Sequence, residues 1–439
     1  MSAPTLADAD AVVQVVLRGV RRPRLRGDDP PVYCRTVNVT DAGRAVRRSY
    51  VFSLDPTRGQ AARLDECLRD HRHLYNAALE HRRTAYTRSR ASIRYGQQAA
   101  ELSAIRRDDE EQARWSFSSQ QATLRRLDVA FRAFFRRVKA GETPGSPRFK
   151  GRDRFNSVLW PSDGDGCGWQ REPGRVYLQG IGHVKVRQHR PIEGHIKTVQ
   201  VTREGRRWFV VLSCDEVPAH PLRATGVSVG LDLGVVRFAT LTDGAVIDNP
   251  RWLRVEADRL AEAQRHLAGC QRRSRNRQRR SERVAAIHRR IRRQRTDFHH
   301  KTARALVRAY DVIAVEDLRI HNMTRSASGT VEEPGSNVAA KAGLNRSILD
   351  AAWGMFLLRL LAKAEEAGRE IRFVDPRYTS VTCPDCQGRC QRPRQDTVVC
   401  TQCGSVFDAD QVGAFNVASR AGLGSRHVRI PPVVGSPRL

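Results

Sequence analysis

Val229-Gly-Leu-Asp232-Leu-Gly234 is a short aliphatic run that closes on a carboxylate. A run of this length bounded by glycine reads as a buried strand that delivers one polar side chain at the rim of a sheet. Val312-Ile-Ala-Val-Glu316 repeats the pattern further along. A third acid, Asp410, opens a helix in Asp408-Ala-Asp-Gln-Val-Gly-Ala-Phe-Asn416, just after two Cys-x-x-Cys pairs. Working outward, the Asp232 run is followed by a second strand at Phe238 to Leu241, an Asp243-Gly244 hairpin turn and a third strand at Ala245 to Ile247. A long helical region then leads to Tyr310, the Glu316 strand, a helix around Leu344 to Ala367, a strand at Ile371 to Val374, the cysteine pairs and a helix from Asp410 to Ala421.

Three meander strands followed by alternating helix and strand give the element order of an RNase H-like α/β sheet. The preceding half reads differently. From Thr57 the pattern is helical, with Leu64, Leu68, His71, Leu74 and Ala78 on one face. A second helical stretch, about 118 to 138, carries Leu124, Leu127, Phe131, Phe134 and Phe135, aromatics that read as core before they read as base-stacking platforms. Residues 157 to 216 alternate in the β manner, with frequent turns, which predicts a small antiparallel barrel with the helices inserted into it. Residues 1 to about 45 hold one short apolar stretch, Val12 to Leu17, among Pro- and Arg-rich sequence, and predict one strand plus a mobile arm.

The chain has 439 residues, is 40% hydrophobic and carries a formal net charge of +30. It is long enough for two or three domains, and the excess of arginine calls for a polyanionic partner, because the planar guanidinium matches phosphate. No apolar run approaches the roughly 20 residues needed to span a bilayer, and the N-terminus lacks a signal-peptide order, so a cytoplasmic protein without a membrane partner is expected. Charge concentrates in two places. Arg148, Lys150, Arg152 and Arg154 crowd a Gly- and Pro-punctuated loop, and Arg272, Arg273, Arg275, Arg279 and Arg280 begin an arginine-rich helical stretch. Either could be a solvated surface. So many arginines with few acidic neighbours repel one another unless a polyanion neutralises them, which favours nucleic acid.

Cys383-Pro-Asp-Cys386 and Cys400-Thr-Gln-Cys403, with 13 residues between the pairs, have the spacing that lets four thiolates surround one structural zinc ion. Cys390 is not needed as a ligand. The carboxylates suit a different cation. Phosphodiester hydrolysis with two metal ions needs acids converging on ions about 4 Å apart, and magnesium prefers oxygen ligands. Singly, Asp232 could hold a strand exit, Glu316 a sheet edge and Asp410 a helix cap. Jointly, on two strand ends and one helix start, they predict a site for two Mg2+ ions.

Gly230-Leu-Asp-Leu-Gly234, Val315-Glu-Asp-Leu318 with Asn322-Met323, Asn345-Arg-Ser-Ile-Leu-Asp350 with Trp353-Gly354, Asp375-Pro-Arg-Tyr-Thr-Ser380, the cysteine pairs and Asp410 together resemble the RuvC nuclease domain of TnpB, the transposon-encoded RNA-guided DNA endonuclease. Leu54-Asp-Pro-Thr57, Phe134-Phe135 and Pro144-Gly-Ser-Pro-Arg-Phe-Lys150 resemble that family's N-terminal half, so the likeness covers roughly residues 50 to 422. It implies a bilobed α/β plus β-barrel protein. The layout it implies is an N-terminal extension with the first wedge strands at 1–56, a helical recognition lobe at 57–138, the rest of the wedge barrel at 139–222, a RuvC nuclease at 223–378 with arginine-rich helices at 253–310, a zinc ribbon at 379–407, the last RuvC helix at 408–422 and a tail at 423–439. It also implies guide RNA and double-stranded target DNA as partners, with Asp232, Glu316 and Asp410 in the catalytic positions and Asp408 as a bystander. Two departures stand out: Val412-Gly413 replaces the family's usual Asn-Ala, and about 45 residues precede its usual first strand. Compact type V CRISPR effectors share these motifs and stay open as an alternative. An RNA-guided DNA-binding repressor would share the fold but normally lose one or more of the acids, and all three are present, which favours an enzyme. A cut-and-paste transposase is a further one. Oligomeric state is not legible.

Overall fold

A computed structural model describes residues 34–37, 45–170, 174–330 and 332–424. The apolar stretch Val12 to Leu17 and most of the 423–439 tail lie outside the described residues. The chain divides into two units, one spanning Gly43–Pro218 and the other Ala219 onward together with the strand Cys34–Val37.

The first unit is built on a seven-stranded antiparallel sheet, ordered Ser157–Trp160, His195–Glu204, Arg207–Val217, Val46–Asp55, Gly182–Arg187, Arg175–Leu178 and Cys167–Gln170. Among the described residues its outer strands do not pair with each other, so the expected closed barrel is an open sheet. Helices pack against the outer strand Ser157–Trp160 in place of that pairing. The first of them, Arg58–Ser89, starts at a reciprocal cap in which Thr57 Oγ1 accepts from Gln60 N and Gln60 Oε1 accepts from Thr57 N. It buries Leu64, Leu68, His71, Leu74 and Ala78, the face that the periodicity marks. In the helix Phe117–Lys139, Leu124 and Leu127 are buried. The aromatics do not follow them. Phe135 is 58% exposed, stacking on Phe131 and meeting Phe134 edge-on, because this end of the helix runs past the core.

The second unit contains a six-stranded mixed sheet, ordered Cys34–Val37, Glu370–Val374, Val312–Glu316, Ser228–Leu233, Arg237–Leu241 and Val246–Asp248. The last three form the antiparallel meander, and Val312–Glu316 runs parallel to both of its neighbours. Strand Cys34–Val37 pairs antiparallel with Glu370–Val374. Within residues 1–56, Val46–Asp55 thus joins the seven-stranded sheet and Cys34–Val37 the six-stranded one.

Side-chain alternation assigns the two faces of this sheet. Val229, Leu231, Leu233, Ile313, Val315, Ile371 and Phe373 share one core with Ala303, Leu306, Phe356 and Leu360, which come from helices Arg275–Ala309 and Trp353–Ala367. Ala314 and Val374 point the other way, onto Val417 and Ala421 at the end of the helix Ala409–Arg420. Two helical readings need correction. The arginine-rich region breaks after helix Ala257–Ala268, so Arg272 and Arg273 lie in a turn, with Arg273 at φ 65°, and the long helix starts at the Ser274 cap. The helix expected around 344–367 is two, Val338–Ala351 and Trp353–Ala367, separated by left-handed Ala352. That break lets Ile348 and Ala351 on one side, and Trp353 and Phe356 on the other, enter the same core.

Candidate metal and carboxylate site

The alternation that sends Val229, Leu231 and Leu233 to one core sends Asp232 to the opposite face, under the last helix. Glu316 follows the parity of Ala314 and lies on the same face. Val315 pairs with Leu231 in parallel register, so Glu316 stands one strand over from Asp232, about 4.8 Å away at the backbone. The last helix comes very close. A Cβ on Gly230 would lie 2.4 Å from Ala414 O, and one on Gly413 would lie 2.8 Å from Asp232 Cγ. Glycine at both positions lets helix and strand touch, and the departure at Gly413 is what clears space for the Asp232 carboxylate in this geometry. Asp410 lies in the first turn of that helix, near enough for its charge to act on Asp232.

Electrostatics agree with this placement. Burial, then the charges of Glu316 and Asp410, hold the Asp232 carboxyl well above the usual range. Burial also raises Glu316, against a hydrogen bond from Thr379 and the charge of Arg420, and burial and the charge of Asp408 raise Asp410, against Arg237 and Arg392. Asp408, not Asp410, caps the helix: it accepts from Asp410 N at 3.0 Å and Gln411 N at 3.2 Å. Arg237 Nη1 holds both Asp408 carboxylate oxygens, at 3.1 and 3.2 Å, and lies 3.7 Å from Asp410 Oδ2. Sequence reasoning missed Arg237, Thr379 and Asn416. Thr379 and Asn416 stand inside stretches singled out for other reasons, whereas nothing marks Arg237.

The Sγ atoms of Cys383, Cys386, Cys400 and Cys403 all lie within 4.8 Å of one another. The Cys383–Cys403 and Cys386–Cys400 separations are 3.7 and 3.5 Å, close to the edge of about 3.8 Å for a tetrahedron of 2.3 Å Zn–S bonds. The cysteines fit a zinc ion. The N–H groups of Gln402 and Cys403 point at Cys400 Sγ, and backbone donation, led by Cys403 N–H, pulls its thiol down to about 6. Cys390 stays outside the group, buried and paired across the strand from Cys400.

The candidate nucleic-acid residues fall in both units. Arg148, Arg152 and Arg154 are exposed, and Lys150 is half-buried, with its backbone N and O bonded to the Asn76 side chain. Asn76 thus pins the loop by its backbone. In the second unit Arg272, Arg273, Arg275 and Arg279 are exposed and Arg280 is half-buried. No helix among the described residues is long and apolar enough to cross a membrane.

Residues 199–327 match the IS605 OrfB family model described as "Probable transposase", and 353–417 match a "Cas12f1-like, TNB domain". Residues 46–91 match a model described as a helix-turn-helix domain, although here they form one strand and one 32-residue helix. The chain is 31% identical over 374 residues to the "Putative RNA-guided DNA endonuclease InsQ" of Escherichia coli, covering 84% of this chain and 91% of that protein. The chain belongs to the TnpB family. A Streptomyces pristinaespiralis "Putative RNA-guided DNA endonuclease" is also 31% identical, over 86% of this chain and 90% of its own length. The TnpB-family chain is related as well to the CRISPR-associated endodeoxyribonuclease Cas12f1 of Sulfoacidibacillus thermotolerans, at 24% identity over 55% of this chain and 58% of that one.

Proposed function

We propose that this TnpB-family chain is an RNA-guided DNA endonuclease whose RuvC-type site uses Asp232, Glu316 and Asp410 to hold magnesium. The observation that carries the reading is the approach of these three acids, from three segments far apart in the chain, on one face of the mixed sheet, where burial raises each carboxyl and the charges of Glu316 and Asp410 raise Asp232 further. Magnesium bound there would supply an activated water and a counter-charge for the leaving oxygen. Asp232 and Glu316 present adjacent carboxylates from neighbouring strands, and Asp410 closes the group from the helix. Arg237 neutralises Asp408 and holds the helix start in place. The four cysteines keep a zinc ion that fixes the hairpin before Asp410.

The arginines of the 148–154 loop and the 272–280 region supply sequence-blind phosphate contacts, so selection of the target falls to base pairing with guide RNA. A second reading, a compact type V effector, is favoured by the match of 353–417 to a Cas12f1-like domain. A CRISPR array beside the gene, as against a transposon end, separates the two. A guide-directed repressor is disfavoured, because all three acids are retained.

The test is to purify the chain with RNA transcribed from its own locus, exchange the guide segment, and offer matched and mismatched DNA with randomised flanks. Cutting is expected to follow the guide beside a short flanking motif, to need Mg2+, and to weaken steeply with salt. Cutting that follows one fixed DNA sequence whatever the guide overturns the proposal in favour of a protein-directed nuclease or transposase.

A further inference from the structure

We propose that Thr379 and Asn416 are positioning residues that hold Glu316 and tie it to the helix bearing Asp410, a role that rests on the metal site proposed above. Thr379 lies between the strand Glu370–Val374 and the first cysteine pair, and it is buried. Its Oγ1 is 2.5 Å from Glu316 Oε1 and 2.9 Å from Pro376 O. A hydroxyl has one proton to give. Given to an ionised carboxylate it makes the stronger, charge-assisted bond, so Glu316 receives it once the acid is ionised. That bond fixes the carboxylate's rotation about its own axis. Oε1 is engaged by Thr379, which would leave Oε2 to hold a cation.

Thr379 is itself held. Asn416, buried on the last helix, donates from Nδ2 to Thr379 O at 2.7 Å and to Thr382 O at 2.8 Å, so both amide protons are committed to this loop. The result is a continuous path: helix with Asp410, Asn416, loop backbone, Thr379 hydroxyl, Glu316. The residue after Thr382 is Cys383, the first zinc thiol. The loop that roots the cysteine hairpin therefore also sets the second acid, and two carboxylates with no bond between them share one support. Arg420, at the far end of the same helix, reinforces the loop by donating to Asp375 O at 2.9 Å. A loop kept only for chain continuity would need Asn416 but not the hydroxyl. Valine has the shape of threonine without the proton, and serine has the proton with a smaller shape.

The experiment measures Mn2+ binding to the zinc-loaded full chain by electron paramagnetic resonance, without RNA or DNA, for wild type, Thr379→Val, Thr379→Ser and Asn416→Ala. Zinc content and melting temperature are recorded beside it. Wild type that neither takes up Mn2+ nor cuts guided DNA overturns the nuclease reading itself, before any variant is compared. With wild-type binding in hand, Thr379→Val is expected to weaken Mn2+ affinity about 10- to 100-fold with zinc content unchanged, the loss usual for a partner that orients a metal ligand. Thr379→Ser is expected to restore most of that loss, and Asn416→Ala to weaken binding in the same direction. Thr379→Val with wild-type Mn2+ affinity overturns the proposal even if it melts lower, and so does Thr379→Ser binding as weakly as Thr379→Val.

Discussion

The four cysteines and the three acids are both sets of like-charged donors, and they are assembled in opposite ways. The cysteines come from one hairpin, Cys383 to Cys403, and their sulfur atoms already stand at tetrahedral spacing, with backbone N–H groups turned toward Cys400. The acids come from two strands and a helix, and burial opposes ionisation at each of them, with the charges of Glu316 and Asp410 adding to it at Asp232. The cysteine group is closed by four sulfurs. On the function proposed above, the acid group would share its ions with a substrate phosphate. Structure is maintained at one and chemistry is possible at the other.

The largest effect should come from removing an acid. Asp410→Ala is expected to abolish guided cleavage while the protein keeps its zinc and its guided DNA binding, which a cleavage assay, elemental analysis and a binding assay check together. Cleavage equal to wild type would remove Asp410 from the site and erase the contrast between the two clusters.

Cys400→Ser should act on the other cluster. Structural zinc contributes roughly 10 kcal/mol or more of local folding free energy, so losing one thiolate should empty the site, lower the melting temperature and cut cleavage as a consequence. Freshly purified wild type with no zinc would break this half of the comparison. The difference sharpens if Asp410→Ala leaves melting near wild type while Cys400→Ser does not.

The smallest effect tests the electrostatics alone. The Asp232 carboxyl is raised by burial first and then by its neighbours, so its contribution to stability is present at acid pH and is lost as pH rises through that raised value. Asparagine copies the protonated form. In Mg2+-free buffer at neutral pH, Asp232→Asn should therefore melt higher than wild type by about 2–4 °C, the shift that about 1 kcal/mol produces in a domain of this size. The gap should close as pH falls and narrow when Mg2+ is added. A lower melting temperature for the variant at neutral pH would mean that Asp232 is already compensated within the protein.

What the sequence made legible follows the same division. The cysteine site is readable because its geometry is local, so spacing alone is nearly the structure. The mixed sheet is readable because aliphatic runs and the Asp243-Gly244 turn set both strand positions and the meander. Where pairing is non-local, reading stops. Nothing near Cys167 or Ser157 says that their strands end a sheet instead of closing a barrel. Ala352 is a good helix former by type, and only the core packing of Trp353 and Phe356 explains its left-handed break. Phe135 has the spacing of a core residue and lacks a core to enter. The Thr379 bond to Glu316 exists only after the strand, the loop and the last helix have assembled.

The short strand Cys34–Val37 has a use beyond adding one element to a sheet. It satisfies the outer backbone groups of Glu370–Val374, a stretch rich in β-branched and aromatic residues that would otherwise offer an unpaired edge to any other chain. Shortening the protein from its N-terminus past residue 37 would leave that edge bare and open it to pairing with another copy of the chain.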